Sequence, residues 1–144
     1  MVDNTWAYEN ETKILGILNA YAIPKLKKKF PGMQFQEGIT ITNLESRLSK
    51  PTFPTIYVKE LGFIENGKTL EAKEIVSITP TYQVKAITNT SQSDAKGILA
   101  IASDVFKEMM FECISGISIE SVENGIYTSV IRFRRTIDRN DKLI

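Results

Sequence analysis

The chain is expected to fold as an α+β domain, an antiparallel sheet of about four to five strands with two main helices packed on one face. Three stretches carry this expectation. From Glu74 to Thr88, Val76, Ile78, Tyr82, Val84 and Ala86 alternate with Ser77, Thr79, Thr81, Gln83 and Lys85, the period of a strand with one buried face. After Ser91-Gln92-Ser93, Ala95, Ile98, Leu99, Ala102, Val105, Phe106, Met109 and Met110 recur at helical spacing. Near the end, Glu123-Asn124-Gly125 joins two β-prone runs, and Asn-Gly is the strongest short hairpin signal.

The elements follow in order. Residues 1–9 read as a loose N-terminal arm, 10–137 as one α+β domain and 138–144 as a C-terminal tail. Trp6 and Tyr8 are large for a free arm and are expected to dock, either on the chain's own body or on another molecule. A helix begins near Asn10, a good cap residue, and sets Ile14, Leu18, Tyr21, Ala22 and Leu26 on one face. Pro24 crowds the Ala20 carbonyl, so a kink or a handover to a second helix is expected. Lys25, Lys27, Lys28 and Lys29 suit a helix C-terminus and a solvated face, with a phosphate-binding patch as the alternative. Phe30-Pro31-Gly32 stops the helix.

Met33 to Asn43 reads as extended, with a bulge or turn at Gly38, and Leu44 to Lys50 as polar and irregular. Pro51-Thr52-Phe53-Pro54 leads into a strand over Thr55 to Leu61, followed by a turn at Glu65-Asn66-Gly67-Lys68. Pro80 cannot donate to a ladder, so its strand is an edge there or carries a bulge. The Met109–Met110 pair reads as core, and Cys113 as a small buried apolar residue. Ile114 to Val122 and Ile126 to Ile137 form the closing hairpin.

Composition narrows the chemistry. The 144 residues fit one domain, and 42% hydrophobic with 24% charged residues is a globular balance. The net charge of +1 gives no general attraction to nucleic acid or to an acidic membrane. There is no histidine and one cysteine, which excludes Ser–His and Cys–His catalysis, an internal disulfide and a cysteine-based zinc site. Met1 to Thr5 lacks the pattern of a signal peptide, and no run reaches the roughly 20 apolar residues of a membrane span. The expectation is a soluble protein of a reducing compartment that is not an enzyme and carries no cofactor or metal.

The eight glycines form no phosphate-binding loop. Glu71 with Glu74, and Glu120 with Glu123, read as solvated surface, and Asp138, Asn140 and Asp141 lack the spacing of a calcium loop. The last strand is more informative. Tyr127, Ile131, Phe133 and Ile137 point one way, while Ile126, Val130, Arg132 and Arg134 point the other. For Arg132, Arg134 and Arg135 three roles stand open: pairing with acids on neighbouring strands, reaching a carboxylate on another subunit, or touching nucleic acid. An apolar second face argues for burial against another protomer. The turn residues Glu65, Asn66 and Lys68 are the second candidate contact.

Four features taken together look familiar. They are the amphipathic helix followed by a strand near Phe35; Phe53-Pro54-Thr55-Ile56-Tyr57-Val58 in a strand ending at Glu60; Tyr82 to Asn89 before the helix from Ser93 to Glu112; and the closing Arg132-Phe133-Arg134-Arg135-Thr136-Ile137-Asp138. In this layout, over nearly its whole length, the chain resembles the tail terminator, or tail-completion, proteins of tailed bacteriophages and phage-tail-like particles. The resemblance implies a mechanical role. Such proteins form a ring, usually hexameric, on the head-proximal end of the tail tube. The ring stops growth of the tube, and of the sheath in contractile tails, and joins tail to head. The implied partners are further copies of the chain, the tail tube protein, the tail sheath protein and head–tail connector proteins, with DNA only in transit and no membrane. The implied location is the tail and neck of the virion, after synthesis in the host bacterial cytoplasm. The competing expectations are another neck component, such as a connector or stopper, and a small ligand- or peptide-binding α+β module.

Overall fold

A computed structural model describes residues 3–44, 53–66 and 73–144. Two long helices, α1 (Asn10–Lys29) and α2 (Gln92–Glu108), cover one face of a sheet. The strands are β1 (Ile41–Thr42), β2 (Thr55–Asn66), β3 (Ser77–Thr88), β4 (Glu112–Glu123), β5 (Ile126–Arg134) and β6 (Ile137–Asp138). Their order is β1-β2-β3-β5-β4, and β6 continues the line of β5 along β3. The expected α+β architecture is therefore present. The short β1 runs parallel to β2 and the other pairs are antiparallel, so the sheet is mixed.

From Ile78 onward the alternation in β3 does what its period requires; Val76, expected on the buried face, precedes the strand and is 47% exposed. Ile78, Tyr82, Val84 and Ala86 enter the core, beside Ile56 and Val58 of β2 and Ile131 and Phe133 of β5. From the helices come Ile14, Leu18 and Leu26 of α1 and Ile98, Leu99, Val105 and Phe106 of α2. Phe106 lies flat against Phe133, ring centroids 4.6 Å apart and planes within 1° of parallel. Ser91 caps α2, its hydroxyl accepting from the Asp94 amide at 3.1 Å. The two helices approach closely at Gly97, where a Cβ would meet the Phe30 ring at 2.9 Å.

Pro24 lies inside α1 without ending it. Its lost amide costs about 3 kcal/mol in an isolated helix. Burial of Ala22, Ile23 and Leu26 around it offsets that cost. Ile23 takes the core position expected of Tyr21, whose ring faces outward. Asn10 is the first helical residue, with its side chain directed back to the Trp6 carbonyl. Lys25 pairs with Glu108 at 3.2 Å, across to the end of α2.

Several expected elements change length. The extended stretch from Met33 shrinks to β1, because residues 36–40 form a turn closed by the Thr40 amide on the Gln36 carbonyl at 3.0 Å, with Gly38 at φ +76°. β2 runs on to Asn66, so Glu65 and Asn66 are strand residues rather than turn residues; Gly67, Lys68, Glu71 and 45–50 lie outside the described residues. Pro80 lies across from Phe63 of β2 and, on its other side, in the gap where β3 passes from β5 to β6, a place that needs no donor; β3 itself carries no bulge there, and the bulge of this ladder is on β2, at Leu61, across from the Thr81–Tyr82 step. Asn124 and Gly125 have φ +53° and +75° and form the predicted two-residue hairpin turn.

Both ends pack onto the body. Residues Thr5–Tyr8 form one 3-10 turn that buries Ala7. The Asn4 side chain is a two-pronged clamp, donating to the Lys73 carbonyl at 2.7 Å and accepting from the Ile75 amide at 3.0 Å. Tyr8 meets Phe63 edge to face. In the tail, Leu143 is buried in the core. The arm and tail expected at 1–9 and 138–144 are thus, over their described residues, integral parts of the domain.

Two further core assignments are overturned, those of Met110 and Cys113. Met109 is buried, but Met110 is 76% exposed at φ +66°, because the chain leaves the helix there and turns the side chain outward. Cys113 is exposed, because the edge strand that carries it stands clear of the core over 112–119.

Candidate functional site

β5 separates its side chains as its sequence requires. Ile131 and Phe133 enter the core, and Arg132 and Arg134 stand exposed on the outer face of the sheet, away from the helices. Arg132 Nε donates to Gln83 Oε1 at 3.0 Å, its register partner on β3. Arg134 lies between Thr81 and Glu112 in the ladders, and its side chain has no hydrogen bond or ion pair among the described residues. It forms the rim of a depression of about 340 Å³ that includes Leu61, Gly62, Ile64, Thr79 and Thr81. The bulge at Leu61 shapes this depression by shifting the register of β2 past Glu60.

Arg135 does something different. The chain leaves β5 after Arg134, and the Arg135 side chain turns inward. Its Nη1 donates to the Met109 carbonyl at 3.0 Å and its Nη2 pairs with Asp141 at 3.4 Å. It ties the end of α2 to the C-terminal turn. Pairing within the chain therefore describes Arg135, although its acid, Asp141, lies in the C-terminal turn and not on a neighbouring strand.

Asn66 is joined to the same end of the sheet. Its amide donates to Thr79 Oγ1 at 2.7 Å, and Thr79 Oγ1 shares a hydrogen bond with Thr136 Oγ1 at 3.0 Å. This relay crosses three chain segments beside Arg134. Glu65 is exposed opposite Ile78, two positions from the register of Pro80. Lys68 lies outside the described residues.

Sequence reasoning missed the exposed edge. β4 pairs on one side only, with β5, and leaves Ile114, Ile117 and Ile119 in solvent. The signal was present in the small residues Ser115, Gly116 and Ser118, which give the strand little to bury. It also missed a groove of about 490 Å³ between Gly16, Ile17, Ala20 and Tyr21 of α1 and residues 141–144.

Among the described residues no group of three or more Cys, Asp or Glu is placed to hold a metal ion. Asp141 instead accepts from the Asp138 amide and from Arg135, and Glu74 pairs with Arg139 at 3.4 Å. No described helix is long and apolar enough to cross a membrane. No family model matches the chain, and no curated protein matches its sequence.

Proposed function

We propose that the chain is a structural subunit of a phage tail terminator: a ring, hexameric by the resemblance, that caps the head-proximal end of the tail tube. In this reading it stops tube and sheath growth and joins the tail to the head connector, and DNA passes through the ring. It performs no catalysis and carries no cofactor or metal. It resides in the neck of the virion after synthesis in the host cytoplasm. The observation that carries the reading is the outer face of the sheet. Arg134 is unpaired among the described residues over an apolar depression, and exposed isoleucines line the neighbouring edge. Exposed apolar side chains on both flanks of that arginine support reading this face as a protein contact. Arginine's planar fork is suited to a carboxylate at such a contact.

The groove beside α1 favours a second reading, a small ligand- or peptide-binding module. Sedimentation with tail tubes separates the two. A terminator pellets with tubes at a fixed number of copies per tube, so its ratio to tube protein falls as the tubes lengthen. A ligand-binding module stays in the supernatant. Gene position then separates a terminator from a connector or stopper, since a terminator gene is expected next to that of the tube protein.

A further inference from the structure

We propose that the groove between α1 and residues 141–144 is a docking site for an extended acidic peptide segment of another protein. The proposal rests on the ligand-binding reading of this groove and names the class of ligand. It leaves the ring reading untouched, because α1 lies on the helical side of the sheet and Arg134 on the other.

The groove holds a glycine that the fold itself does not use. Gly97 of α2 makes room for the Phe30 ring, but Gly16 lies inside α1 and a Cβ built on it meets nothing within 4 Å. Glycine inside a helix is destabilising relative to alanine. At an exposed position its missing side chain lets another backbone come close. Ala20, one turn on, is also small, so the opening continues along the same face.

The opposite wall selects a peptide. Residues 142–144 line the groove outside any helix or strand. Their backbone amides and carbonyls make no hydrogen bond among the described residues. An extended chain laid beside them satisfies these groups as it would at an open sheet edge. The α1 wall from Lys13 to Tyr21 is about 12 Å long at the helical rise, which about four extended residues cover.

Charge sets the sign of that peptide. Lys13 comes from α1 and Lys142 from the tail; both are exposed, and neither side chain has a hydrogen bond or ion pair among the described residues. The acid in the lining, Asp141, is engaged by the Arg135 guanidinium and the Asp138 amide. Ile17, Tyr21 and Ile144 supply apolar surface. Alternating apolar and acidic residues meet both demands, because a strand sends neighbouring side chains to opposite sides. Exposed charge of this kind gives specificity more than affinity.

The test measures fluorescence anisotropy of a labelled peptide, acetyl-Gly-Glu-Leu-Glu-Leu-Glu-Gly-amide, titrated with the full chain. A peptide with lysine at each glutamate is the control. The acidic peptide is expected to bind at least about tenfold more tightly than the control, and more weakly as salt rises. Gly16→Leu fills the groove from an exposed position and is expected to weaken binding at least about tenfold. Circular dichroism establishes that the variant is folded, and Ala20→Leu takes its place if it is not. K13E/K142E is expected to reverse the preference and bind the lysine peptide better. Acidic-peptide binding that Gly16→Leu leaves unchanged overturns the proposal, as does equal binding of the two peptides or no binding at about 1 mM. Calorimetry with octanoate separates this failure from that of the reading beneath it. Octanoate binding that Gly16→Leu abolishes, with no peptide binding, overturns the peptide and keeps the ligand-binding reading; if neither binds, both fall. Self-association of the chain that Gly16→Leu abolishes puts a second copy in the groove and overturns the proposal.

Discussion

The Tyr82 hydroxyl donates to the Glu60 carboxylate at 3.1 Å, straight across the β2–β3 ladder, and the Glu60 amide donates to Glu11 Oε2 at 3.0 Å. These bonds fasten the first turn of α1 to the middle of the sheet. Glu11 also accepts from the Asn43 amide beside β1. Burial holds the Glu60 carboxyl above its ordinary value; the Tyr82 bond works against that shift and the Glu11 charge adds to it. Burial, with the carboxylates beside it, likewise pushes the Tyr82 hydroxyl upward.

Glu60→Gln is expected to stabilise the fold at neutral pH. A raised folded-state value means that the native protein binds the Glu60 proton more tightly than the unfolded chain. The related stability is full below the ordinary value of 4.5 and is lost as pH rises through the folded value. Glutamine keeps an acceptor for Tyr82 and removes the ionisation. Urea unfolding at several pH values should show the advantage of the variant growing from acid to neutral pH. An advantage confined to acid pH contradicts this assignment.

Phe106→Ala is expected to cost about 3–5 kcal/mol, the range for deleting a buried phenylalanine. The side chain stacks on Phe133 and meets Phe111 edge to face, so the hole cannot close without moving both. Chemical denaturation measures the loss directly.

Arg134 and Arg135 are adjacent in sequence and should behave in opposite ways. Arg135→Ala removes a charged donor from the Met109 carbonyl and is expected to lower monomer stability by about 1–2 kcal/mol. Arg134→Ala is expected to stay within about 0.5 kcal/mol of wild type, as for a surface site without internal partners. Melting temperatures of the two variants, measured under monomeric conditions, make the comparison.

Gly125→Ala is expected to destabilise the β4–β5 hairpin by about 1 kcal/mol, because φ at this position is +75°. Asn124→Gly, at φ +53°, is expected to be close to neutral. Thermal unfolding of the pair tests whether the turn, rather than the strand residues, sets this register.

Much of the fold was legible because its signals are local. Period-two alternation placed β3, helical spacing placed α2, and Asn-Gly placed the last turn. Three features depended on tertiary context. Pro24 stays inside α1 because the residues around it are buried, which no window of sequence reveals. Met110 and Ile119 look like core residues by type, and only the way the chain leaves α2 into an edge strand exposes them. The extended region before β1 gave way to a turn held by Asn19 from α1, whose Oδ1 accepts from the Gly38 amide at 3.0 Å. The candidate site divided in the same manner. The period of β5 correctly placed Arg132 and Arg134 on the outer face, whereas Arg135 lies beyond the last strand residue, where the period no longer applies.

We propose that copies of this chain close into a ring on the end of a tail tube. The most direct measurement is negative-stain electron microscopy of the purified protein mixed with tubes of the tail protein encoded beside its gene, with solution mass recorded alongside. Rings, or a cap on one end of each tube with a fixed subunit count, are the expected result. A compact monomer that leaves both tube ends bare contradicts it.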